Sequence, residues 1–129
     1  MLKKNSKLFV VDHGSYPFDV LVCIGSTHKE ICDYIEKKNK YKLSAKEKEE
    51  LGMSGKGLTV MLLNGATVLR IDELKTLDFR ASLAHEIFHA VEFLFDRVGI
   101  KHDTETSGEA FAYQIQYLTG SIYEKLKRS

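Results

Sequence analysis

Residues 79–97 constrain the fold more than any other stretch of this chain. Leu83, Ala84, Ile87, Phe88, Ala90, Val91, Leu94 and Phe95 recur at helical spacing and cover most of a helix's circumference. One polar seam remains, carrying Ser82, His85, His89, Glu92 and Asp96. A helix that is apolar on most sides must be covered on most sides, so this one is expected to be largely buried. Thr76 is placed to cap it, Asp78 falls in its first turn, and Gly99 can supply a left-handed exit after Arg97.

The other elements are arranged around that helix. The apolar, β-branched runs 8–11 and 18–24 predict two strands, with Asp12-His13-Gly14-Ser15-Tyr16-Pro17 as the turn between them. Thr27 followed by Glu30 is a capping box and predicts a helix over 27–38. Ser44 and Glu47 form a second capping box inside the charged stretch 37–50, with Gly52 placed to close a short helix. Runs 58–63 and 66–71 flank Asn64-Gly65, the strongest hairpin signal in the chain, because both turn residues tolerate positive φ. Phe111, Ala112, Ile115, Leu118, Ile122 and Leu126 predict a last helix, interrupted at Gly120 and frayed in the basic tail from Lys125. This order of elements indicates a single α+β domain over residues 1–129.

Composition excludes several classes. With 19 basic against 18 acidic residues the net charge is +1, which argues against bulk electrostatic binding of nucleic acid or anionic membrane. No apolar run approaches the roughly 18 residues needed to cross a bilayer. The run at 8–11, behind Lys3 and Lys4, is shorter than the roughly 7–15 residues of an export signal. A cytoplasmic location is therefore expected, with Cys23 and Cys32 as reduced thiols, since their spacing matches no zinc-finger or redox motif. Residues 52–57, Gly-Met-Ser-Gly-Lys-Gly, lack the Ser or Thr that a phosphate-binding loop needs after its lysine, and read as a flexible connection.

The chemistry lies in His85-Glu86-Ile87-Phe88-His89. On a helix, residues four apart sit about 40° and 6 Å from each other, so both imidazoles can reach one ion at about 2.0–2.1 Å. Glu86 lies at the edge of the seam, where its carboxylate can touch a metal-bound water without ligating the metal. Catalytic zinc takes three protein ligands, and a third is expected from elsewhere in the chain. Glu109, near the start of the next helix, would return beside the histidines if the two helices pair antiparallel. Glu92 is a rival ligand, and Glu109 also fits a capping box with Thr106.

His-Glu-x-x-His followed by a glutamate, with nineteen residues between His89 and Glu109, resembles the zincin metallopeptidases of the glutamate-ligated gluzincin branch, at thermolysin-like spacing. The resemblance covers about residues 58–118. It implies a zincin-like α+β fold, in which a small, mostly antiparallel sheet packs against an active-site helix and a glutamate-bearing helix. It also implies Zn2+ held by His85, His89 and Glu109. Glu86 would be the general base for hydrolysis of a peptide or protein substrate by a metal-activated water. Where that family often has an acidic residue four positions after the ligand glutamate, this chain has Tyr113. Tyr113 thereby becomes the nearest candidate for polarising the scissile carbonyl, ahead of Tyr117, His102 and His13. Phe95 stands where the metzincin branch needs a third histidine. Residues 66–70 are expected to offer an edge strand to an extended substrate. Two other readings stand beside this one: a non-catalytic binding or adaptor module on the same scaffold, and a regulator-cleaving peptidase of a mobile element. A di-iron site would need a second Glu-x-x-His, which the chain lacks.

Overall fold

A computed structural model describes residues 6–52, 57–72 and 79–128. The element order is β1 (Lys7–His13), β2 (Tyr16–Ile24), α1 (His28–Lys38), α2 (Ala45–Leu51), β3 (Gly57–Met61), β4 (Thr67–Ile71), α3 (Phe79–Val98) and α4 (Gly108–Arg128). Thr76, Asp78, the N-terminal lysines and most of the 52–57 connection lie outside the described residues.

Both capping boxes form: Thr27 and Glu30 open α1, and Ser44 and Glu47 open α2. Asn64-Gly65 turns the chain between β3 and β4, with Gly65 at φ 95°. A β-carbon on Gly65 would lie 2.5 Å from the Phe18 ring, so this position needs glycine for space as well as for conformation. Gly99 ends α3 at φ 84°, and the amide of Ile100 bonds back to the Phe95 carbonyl at 2.8 Å.

The sheet order is β1-β2-β4-β3. Pairs β1–β2 and β3–β4 are antiparallel, while β2–β4 is parallel, so the sheet is mixed rather than simply antiparallel. A parallel pair needs a long crossover, and here α1, α2 and β3 supply it. Side chains on β2 alternate between two cores. Val20, Val22 and Ile24 join α3 and α4 on one face, and Leu21 and Cys23 join α1 and α2 on the other. The domain is therefore a sheet with a helical layer on each side. Cys23 and Cys32 are buried free thiols in the α1/α2 core.

Helix α3 seats one face on the sheet, but it is not covered on most sides as its pattern predicts, since Ala84 and Phe88 are exposed. Leu83, Ile87, Val91 and Leu94 are each at most 2% exposed. Burial of each contributes roughly 1.5–3 kcal/mol. The Arg97 guanidinium bonds the Leu62 carbonyl at 3.0 Å, tying the end of α3 to the β3–β4 turn.

Two expectations for α4 are corrected. The helix runs unbroken from Gly108 to Arg128, through Gly120 and the basic tail, where Arg128 pairs with Glu124. Buried Leu118 and Ile122 flank Gly120 and hold the turn in place. Among the described residues, nothing lies within 4 Å of a β-carbon built on Gly120. Gly120→Ala is therefore expected to stabilise the protein by about 0.5–1 kcal/mol. The check is a raised urea midpoint at unchanged slope.

Candidate active site on helix α3

The Nε2 atoms of His85 and His89 lie 3.1 Å apart, with the rings edge to face. Glu92 approaches the other nitrogen of His89, with Oε1 2.8 Å from Nδ1. A carboxylate only accepts, so Nδ1 of His89 donates to Glu92, and its Nε2 is the nitrogen that meets His85. The contact between the rings is an N–H···N hydrogen bond in which one imidazole donates to the other. Glu92, which the sequence offered as a rival ligand, is thus the group that orients His89. Phe88 and Phe93 flank His89, and Phe88 also meets His102.

Glu86 turns its carboxylate to β3. It is 6% exposed and lies under β3, where the Thr59 hydroxyl donates to Oε1 at 2.6 Å. Gly57 lies over Oε2.

The structure does not gather the expected three-ligand set. Among the described residues, no group of three or more His, Cys, Asp or Glu side chains could hold a metal ion. The physical reason is the register of α4 against α3. Phe111 packs on Phe95 at 4.5 Å, six residues beyond His89 and therefore about 9 Å further along the axis. Glu109 is about 200° round α4 from Phe111, and it is exposed. It occupies the first turn of a helix that starts at Gly108, which also removes the register for a capping box with Thr106.

The candidates for polarising a carbonyl are placed elsewhere. Tyr113 is 66% exposed, in a shallow groove whose other walls are all on α4. His102 packs against Phe111 with the rings tilted at 40°. Tyr117 donates to Asp12 at 2.5 Å, a bond that lowers the Asp12 pKa and raises that of the tyrosine. Buried His13 receives the Gln114 amide at both Nδ1 (3.2 Å) and its own carbonyl (3.0 Å). These last two contacts lock α4 to the β1–β2 turn.

Thr59 and Gly57 carried no signal in the sequence as site residues, since 27 residues separate Thr59 from Glu86. The edge-strand expectation is also corrected. Strand β4 lies between β2 and β3, so its ladder groups are used on both sides, and β3 is the edge beside α3.

No known protein family, curated protein or solved structure matches this chain. Together with the missing three-residue metal group, this overturns the resemblance to the glutamate-ligated zincins.

Proposed function

We propose that the chain is a metal-dependent peptidase in which His85 and His89 hold a divalent cation and Glu86 moves the proton. This reading needs no zincin ancestry. The observation that carries it is the 3.1 Å separation of two Nε2 atoms, one of them oriented by Glu92. Two metal–nitrogen bonds of about 2.05 Å at a tetrahedral angle span about 3.3 Å, so the pair fits one ion. Imidazole donors suit zinc.

A bound zinc ion would supply Lewis-acid polarisation of the peptide carbonyl and acidify water. The chain's own residues would do the rest. Glu86, held at Oε1 by Thr59, would take a proton from the attacking water and return it to the leaving amine. An extended substrate would pair with the outer edge of β3, whose ladder no other described strand occupies. A non-catalytic binding module is the second reading, and the absence of a third ligand among the described residues favours it.

Metal analysis of protein purified without added metal tests the proposal, followed by digestion of a peptide library. About one zinc per chain is expected. His85→Ala and His89→Ala should each weaken zinc binding by more than the roughly 10–100-fold typical of a residue that only orients a ligand. If the parent binds no divalent ion, the metal site falls. Zinc-loaded protein that cleaves nothing leaves the binding module as the reading.

A further inference from the structure

We propose that Thr59 is a positioning residue for Glu86, and that Gly57 is the gap that admits the carboxylate, so that edge strand β3 forms part of the site. The catalytic meaning of this inference rests on the function proposed above. The contact itself does not.

Strand alternation puts residues 57, 59 and 61 on one face of β3, and Val60 faces the α1/α2 core. The β4 neighbours of Gly57 and Thr59 are Ile71 and Leu69, both in the core beneath α3. On that side of the sheet, the positions of β3 opposite them thus offer only the short side chain of Thr59 and the bare α-carbon of Gly57. Glu86 occupies the space this leaves. Thr59 Oγ1 lies 2.6 Å from Oε1 and 3.2 Å from the Glu86 carbonyl. One hydroxyl has one proton, and the shorter contact to the charged acceptor takes it. A β-carbon on Gly57 would stand 2.8 Å from Oε2 and 2.9 Å from Cγ, so any other residue there displaces the carboxylate.

The result is a buried carboxylate with Oε1 pinned by Thr59 and Oε2 seated against Gly57. A base already oriented before substrate arrives need not be ordered during the reaction, and misplacement by about 1 Å can cost on the order of a hundredfold in rate.

The test compares Thr59→Val, which keeps shape and strand preference, with Thr59→Ser, which keeps the hydroxyl. In the metal-free protein with 13C-carboxyl-labelled glutamate, the Glu86 resonance is the one missing from Glu86→Gln. It is expected to move in Thr59→Val and to stay near the parent value in Thr59→Ser. Gly57→Ala should move it independently. In the zinc-loaded protein, Thr59→Val should lower kcat about tenfold to a hundredfold. KM and zinc content should be unchanged, and Thr59→Ser should restore the rate. A resonance that coincides with the parent's in both Thr59→Val and Gly57→Ala overturns the inference, as does an unaltered kcat in Thr59→Val. If the resonance moves and the zinc-loaded parent hydrolyses no peptide, the peptidase reading falls and the hold of Thr59 on the carboxylate stands.

Discussion

Glu86→Gln is expected to abolish peptide hydrolysis while leaving the metal in place, a loss of about 10²–10⁴ in kcat, the range attributed to a positioned general base. The amide oxygen of glutamine can still accept the Thr59 hydroxyl at the position now held by Oε1, which is 2.6 Å away. Fold and zinc affinity should therefore survive, since the histidine nitrogens that meet on the seam are untouched. Glutamine cannot take a proton at neutral pH, so the chemical step alone is removed. The measurement pairs metal content with turnover of a quenched-fluorescent peptide library. Parental turnover in Glu86→Gln would remove Glu86 from the mechanism.

Stability should fall by up to about 3 kcal/mol between pH 6.5 and pH 4, because burial pushes the His13 imidazole down from its ordinary 6.5 to about 4. His13 is 1% exposed, its Nε2 has no hydrogen-bond partner among the described residues, and the Asp12 charge opposes the shift only in part. Between those two pH values the unfolded chain binds a proton at this residue that the native chain refuses. Stability therefore rises with pH across the window and levels off above it. The lowered carboxylates Asp12, Asp33 and Glu47 lose their contributions at more acidic pH, as pH falls through their depressed values. Urea unfolding at intervals from pH 4.5 to 7 reads the slope, and His13→Leu should flatten it. Equal slopes in parent and variant would show that the imidazole is not the group responsible. Charging His13 should release α4 first, since Gln114 bonds both its Nδ1 and its carbonyl.

Legibility in the sequence followed distance along the chain. The caps at Thr27 and Ser44 were readable because each bonds a partner three residues away, and the αL exit at Gly99 because it closes on Phe95 and Asp96. The seam of α3 was readable because period 3.6 sorts Leu83, Ile87 and Val91 from His85 and His89 without reference to anything else. Gly120 misled for the opposite reason: its weak helix propensity is a local cost, and the burial of Leu118 and Ile122 on either side outweighs it. The site was half legible. The imidazole pair and Glu86 share one helix, and the geometry of that helix places them. Glu109 does not, and a separation of nineteen residues limits reach without setting the face that α4 presents to α3.

The residues alone determined the helices with their caps, the β3–β4 hairpin and the two histidines on one seam, because each depends on neighbours within about two turns. Only the tertiary structure decided that β2 and β4 run parallel, that β3 is the edge, that Thr59 meets Glu86, and that the start of α4 sits beyond His89. Those outcomes follow from which apolar faces cover one another. That choice is made by the shared burial of side chains far apart in the chain, such as Val22, Leu69, Ile87 and Leu118 in one core, and no local spacing encodes it.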